Sequence, residues 1–116
     1  MLTIYGIKTC DTMKKARAWL AENGTDAAFH DYKTAGIDRP TLENWVRTHG
    51  WETVLNRAGT TFRALPEEEK RDLDAEKAIR LMLAQPSMIK RPVLVRDTGE
   101  SLVGFKPEAY AAFLKS

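Results

Sequence analysis

Residues 2–32 change hydrophobic period twice, and this constrains the fold more than any other feature of the chain. Leu2, Ile4 and Tyr5 form a short β-prone run ended by Gly6, which predicts a buried first strand. Ile7-Lys8-Thr9-Cys10 reads as a polar loop. From Asp11 or Thr12, Met13, Ala16 and Leu20 recur at helical spacing with Trp19 widening the stripe, and Asn23-Gly24 supplies a left-handed stop. Ala28 to Tyr32, before the turn-prone Thr34-Ala35-Gly36, predicts a second strand. A crossover of about 20 residues allows the two strands to lie parallel, with a right-handed connection.

From Asp38 to about Met88 the pattern predicts helices and no strand. Leu42, Trp45, Val46 and His49 share a helical face after Asp38-Arg39-Pro40, and Gly50 closes that segment. Trp51 to Asn56 predicts a short helical turn, and Pro66-Glu67-Glu68-Glu69 a helix start. Ala75, Ala78, Ile79 and Met82 form another apolar face after Asp74. Strand patterning returns at Pro92 to Val95 and Ser101 to Gly104, joined as an antiparallel hairpin by Asp97-Thr98-Gly99. Pro107 starts a last helix with Tyr110, Phe113 and Leu114 inward, and Trp19, Trp45 and Trp51 are read as packing residues. The expectation is one α/β domain over 1–116, in which a core of 1–33 and 91–116 carries a helical insertion, 34–90, packed against its sheet.

Size and composition narrow the chemistry. A chain of 116 residues buries roughly two-thirds of its unfolded surface, enough for its own core. No apolar run approaches the ~20 residues of a membrane helix, and the start lacks the basic and apolar regions of a secretory signal, so a cytoplasmic protein without membrane contact is predicted. The single cysteine excludes an internal disulfide, and with only His30 and His49 beside it no metal site is predicted. The formal charge is +2, with −4 between Pro66 and Glu76 and +6 elsewhere; this suits a small anionic ligand rather than a nucleic acid.

Cys10 falls where the first helix begins. The reacting form of cysteine is the thiolate, and helix N-termini lower thiol pKa values to roughly 3.5–7.5 through free N–H groups and the helix dipole. Lys8, Lys14 and Lys15 would add to this, and Asp11 would oppose it. The competing reading is a small hydrophobe, since free cysteine is among the most buried residue types. Met13 stands where a Cys-x-x-Cys motif has its second thiol, so no local thiol can resolve an oxidised Cys10.

Two other stretches combine suitable chemistry. Asn56-Arg57-Ala58-Gly59-Thr60-Thr61-Phe62-Arg63 offers amide, guanidinium and hydroxyl groups for an oxyanion, or is simply a solvated loop. Lys90-Arg91-Pro92 runs into a strand where a cis-proline is at home, and Arg91 is either a site residue or a surface charge. His30, beside Phe29, is read as a packing or edge residue rather than a base.

Taken together, YGIKTCDTMKKA, HDYK, LNRAGTTFR, MIKRPVLV and VGF, in this order over nearly the whole chain, resemble the ArsC/Spx family of the thioredoxin superfamily, most of all its YffB-like branch. The resemblance implies a thioredoxin/glutaredoxin-like mixed sheet with a helical insertion, and a thiol at the first helix facing a cis-proline loop. It implies Cys10 as the nucleophile, Pro92 as the cis-proline, and Thr9, Asn56, Arg57, Arg91 and Pro92 as the residues binding glutathione or substrate, with Lys8 accessory. Where the pattern of similar arsenate reductases has a third arginine, this chain reads Gly104-Phe105-Lys106-Pro107; Lys106 is the possible substitute and lacks the planar fork of arginine.

The activity so implied is a glutathione-dependent thiol reductase working through a mixed disulfide at Cys10. Its cosubstrate is glutathione, its possible partners are glutaredoxin or a thiol or oxyanion substrate, and it has no permanently bound cofactor. The alternatives are a glutaredoxin-linked arsenate reductase and a non-enzymatic regulator that binds RNA polymerase. Spx regulators commonly carry the Cys-x-x-Cys switch that Met13 removes here.

Overall fold

Leu2, Ile4 and Tyr5 form the strand that their composition predicts, β1 (Leu2–Gly6), in a computed structural model that describes residues 2–8 and 10–115. Helix α1 (Asp11–Glu22) follows and ends as Asn23-Gly24 requires. Gly24 is left-handed at φ 66, and it and Thr25 donate N–H bonds back to Ala21 and Leu20 at 3.1 and 2.9 Å.

Strand β2 is Ala27–Asp31, one residue earlier than expected, and Tyr32 instead opens the short helix α2 (Tyr32–Ala35). The Asp31 carboxylate accepts the Lys33 N–H at 2.8 Å, a local turn that ends the strand before Tyr32.

The chain divides into two compact units, Met1–Ala35 with Arg91–Ser116, and Gly36–Lys90. The first holds the sheet, whose order is β2-β1-β3-β4, with β3 (Val93–Val95) and β4 (Ser101–Val103). β1 runs parallel to β2, with Ile4 opposite Phe29 and Gly6 opposite Asp31. It runs antiparallel to β3, with Tyr5 opposite Val93, and β3 and β4 form the antiparallel hairpin. Helix α8 (Pro107–Lys115) closes the unit. This is the mixed sheet of the thioredoxin-like α/β class.

The core of this unit is Ile4 and Leu94 from the sheet, Met13, Ala16 and Leu20 from α1, and Tyr110 from α8. Trp19 and Phe105 meet the Tyr110 ring edge-on at 5.7 and 4.8 Å. Burying each large apolar side chain contributes roughly 1.5–3 kcal/mol, so the stripe on α1 is what docks it. Phe113 and Leu114 pack at the margin, half-buried.

The second unit is helical: α3 (Arg39–His49), α4 (Trp51–Val54), α5 (Thr60–Arg63), α6 (Glu67–Lys70), α7 (Ala75–Ala84) and a 3-10 turn (Pro86–Met88). Leu42, Trp45, Val46, Ala78, Ile79 and Met82 are buried, whereas Ala75 is exposed. Asp74 caps α7 by accepting the Lys77 N–H at 2.8 Å, an interaction typically worth about 1 kcal/mol. Arg39 joins α3 to α7 through Glu76 at 2.6 Å and also pairs with Glu43 at 3.0 Å.

Two further features differ from the sequence expectation. Thr60–Arg63 is helical, so the polar loop is shorter than its composition suggests. An isolated antiparallel bridge, Leu55 with Ile89, stands in a region without predicted strands; Lys90 N–H to Val54 at 2.7 Å and Asn56 N–H to Met88 at 2.8 Å flank it. Such a bridge pairs residues far apart in sequence, and local periodicity carries no trace of it.

Candidate active site

β1 ends at Gly6, and the turn that follows is held by the Cys10 N–H bonding the Ile7 carbonyl at 3.2 Å. Cys10 is the N-cap of α1, with extended backbone at φ −74 and ψ 129, and its carbonyl receives the first helical bond, from Lys14 at 3.1 Å. In this position a capping side chain faces the unpaired N–H groups of the first turn. The thiol is half-buried and packs against the core that contains Ile4 and Met13.

Burial raises the Cys10 pKa, but the Met13 N–H, the Arg91 guanidinium and the Thr12 N–H together outweigh it, and the thiol lies below its ordinary value. The surrounding donors therefore favour the anion over the neutral form. Both readings of Cys10 hold in part, since it touches the core and still presents its sulfur to donors. The cation that acts on it is Arg91, while Lys8, Lys14 and Lys15 are exposed.

Arg91 and Pro92 form the corner entering β3, and the peptide between them is cis. Pro92 is buried, and its carbonyl accepts the Gly104 N–H at 2.8 Å, tying the corner to the end of β4. Because β3 pairs antiparallel with β1, its start lies beside the end of β1, where the chain leaves for Cys10. Arg91 is half-buried, with its Nε wholly so.

Tyr32, which the sequence did not single out, belongs to the same end of the sheet. Its ring is 1% exposed and stacks on Tyr5 at 6.3 Å, while His30 lies 4.7 Å from Tyr5 in the same aromatic group. Burial holds the Tyr32 phenol well above its ordinary pKa, Tyr5 adds to this, and the charge of Arg91 opposes it. The phenol is therefore neutral at physiological pH. Its signal in the sequence was the HDYK stretch, read there for family likeness and strand propensity alone.

Of the other expected residues, Thr9 lies outside the described residues. Lys8 is exposed, and Lys106 is exposed just before α8, its carbonyl accepting the Tyr110 N–H at 3.0 Å. Asn56 and Arg57 follow α4 in the second unit. A Cβ on Gly59 would stand 2.9 Å from Asn56 Nδ2, so a side chain there would force that amide to shift. Arg57 is exposed, with its guanidinium 5.5 Å from the Trp51 ring centre. The first unit thus gathers Cys10, Arg91 and Pro92, and adds Tyr32 and the N–H groups of Thr12 and Met13. Among the described residues, no helix is long and apolar enough to cross a membrane.

The fold is shared with known proteins. The ArsC family model matches residues 5–113. A solved structure of a YffB protein is 66% identical with a TM-score of 0.92, covering 97% of each chain. An arsenate reductase (ArsC) related protein from Brucella melitensis is 60% identical with a TM-score of 0.77, covering 99% of this chain and 95% of its own. The global transcriptional regulator Spx of Streptococcus pyogenes is 27% identical over 98% of this chain and 85% of its own length. With a match running from the first strand to the last helix, the chain belongs to the ArsC family.

Proposed function

We propose that the protein is a glutathione-dependent thiol reductase that works with one cysteine. The observation that carries this reading is a half-buried Cys10 thiol whose pKa is lowered by the Met13 N–H and Arg91, in a chain with no second cysteine. The Cys10 thiolate attacks the glutathione sulfur of a mixed disulfide R–S–S–glutathione. That S–S bond breaks, R leaves as a thiolate and takes a proton, and a Cys10–glutathione disulfide forms. A glutathione thiolate then attacks the glutathione sulfur of this intermediate, releasing oxidised glutathione and restoring Cys10. The sulfur of the incoming glutathione is oxidised from thiol to disulfide, and the sulfur of R is reduced from disulfide to thiol. Arg91 steadies the thiolate as nucleophile and again as leaving group.

A second reading is arsenate reduction, favoured by a guanidinium beside the thiol and by the likeness to an arsenate reductase related protein. One experiment separates the two. Incubation with oxidised glutathione, followed by peptide mass spectrometry, is expected to give a single adduct on Cys10, and glutathione is expected to remove it. A chain that stays unmodified would overturn the reductase reading. Arsenite formed from arsenate, glutathione and glutaredoxin, without turnover of a mixed glutathione disulfide, would move the assignment to the second.

A further inference from the structure

We propose that the R half of the mixed disulfide this protein reduces is an acidic protein or peptide, with carboxylates around its glutathionylated cysteine, drawn in by a positively charged end of the sheet. The proposal rests on the reading of Cys10 as the nucleophile of that reaction. Strand directions collect the charges. β1 and β2 are parallel, and β3 is antiparallel to both β1 and β4, so β1, β2 and β4 finish at the end of the sheet where β3 starts. Helices α1 and α8 share one core and begin after β1 and β4, which brings their N-termini to the same end.

Lys8 follows β1, Lys14 and Lys15 stand near the start of α1, Lys33 follows β2, Arg91 precedes β3 and Lys106 follows β4. Against these six cations stand three carboxylates, Asp11, Asp31 and Glu108, which leaves +3 among the described residues at the end that carries Cys10. The opposite end has the other sign: Glu22, Asp26, Asp97 and Glu100 against Arg96 and Lys115 give −2. The positive ends of the two helix dipoles add to the first of these fields.

The five lysines are exposed, and the ion pairs among the described residues involve none of them, so their charge faces solvent. Lys33 and Lys106 follow the two edge strands, three strand spacings or roughly 14 Å apart. A small anion at the sulfur meets one or two of these cations, whereas the surface of a protein meets them together. The carboxylates set among them break up the basic stripe that a nucleic-acid backbone would need. Because the glutathione half is the same in every substrate, the field selects through R.

Two peptides of equal length, each with one glutathionylated cysteine, flanked in one by glutamates and in the other by lysines, test this by kcat/KM. Each value is divided by the rate of the same peptide with dithiothreitol, which removes the difference between the disulfides themselves. The acidic peptide is expected to be favoured about tenfold at about 10 mM salt, where charges act over roughly 30 Å, and within about twofold at about 1 M, where they act over roughly 3 Å. Equal values at low salt, or a preference that high salt leaves intact, would overturn the proposal.

Lys15→Glu combined with Lys33→Glu changes +3 to −1 at this end and is expected to abolish the low-salt preference. The ratio of Cys10 alkylation by anionic iodoacetate to that by neutral iodoacetamide reads the same field without glutathione, and cancels any change in the thiol itself. It is expected to fall about threefold from wild type to this variant at low salt. A retained preference or an unmoved ratio counts against the proposal. Turnover of neither peptide sinks the reductase reading and the preference with it; turnover of both at equal rates sinks the preference alone.

Discussion

Cys10→Ser is expected to reduce turnover of a mixed glutathione disulfide to background, and Arg91→Ala to change its pH profile in a way that a simple loss of stability would not. A serine hydroxyl is not ionised near neutral pH, so the nucleophile is removed outright. Arg91→Ala deletes a hydrogen bond and a positive charge that both hold the Cys10 pKa down. An opposite charge at hydrogen-bonding distance shifts a pKa by about one unit or more. The sign follows from which form reacts. With its pKa lowered, wild type keeps its thiolate as the pH falls below the ordinary thiol range, and Arg91→Ala loses it at a higher pH.

A less acidic thiol gives a more nucleophilic anion, with a Brønsted slope of about 0.4–0.5. A one-unit rise therefore slows attack on a neutral disulfide about three- to fourfold at low pH and speeds it about threefold on the alkaline plateau. The two profiles should cross. Stopped-flow rates against pH check this, and parallel profiles that never cross would count against Arg91 as the group that lowers the pKa.

Gly6→Ala is expected to destabilise the fold by about 1–3 kcal/mol, a large effect for one added methyl. The methyl would run into the Met13 side chain, against its Sδ and at 2.8 and 2.9 Å from its Cε and Cγ. Methionine is flexible, but Met13 is 1% exposed among Ile4, Leu20 and Leu94 and has nowhere vacant to go. Shape is the whole reason for this glycine, since it is not among the residues with positive φ. Urea unfolding of Gly6→Ala, Met13→Ala and the double variant checks the mechanism. Met13→Ala removes the obstacle, so the double variant should be more stable than the sum of the two losses by about 1 kcal/mol. Agreement with the sum to within roughly 0.5 kcal/mol would reject it. Because the Met13 N–H faces the thiol, Gly6→Ala should also raise the Cys10 pKa.

Met13 shows how far the sequence could be read. Its identity says that no second thiol accompanies Cys10, and that conclusion needs no structure. Its side chain is a core residue seated on Gly6, and the i, i+3, i+7 stripe with Ala16 and Leu20 predicts this as well. That it excludes any side chain at Gly6 depends on how closely α1 approaches β1, and no local pattern encodes that distance. The strand called from Ala28 to Tyr32 fails at its end for a similar reason. β-propensity favours tyrosine in a strand, but the Asp31 carboxylate turns the chain one residue sooner and sends Tyr32 inward.

The sequence by itself determined the order of the strands and the longer helices, the parallel crossover, the helix that begins just after Cys10 and the absence of a partner cysteine. These follow from hydrophobic period, turn residues and composition, all of which act over a few residues. Only the tertiary structure decided which cation serves the thiol. Lys8, Lys14 and Lys15 are near Cys10 in sequence and point to water, whereas Arg91 arrives from the far end of the chain because β3 pairs antiparallel with β1. Pairing across a sheet is set by burial of whole faces, and that joins residues about eighty positions apart, Cys10 and Arg91 among them, which no window of sequence contains.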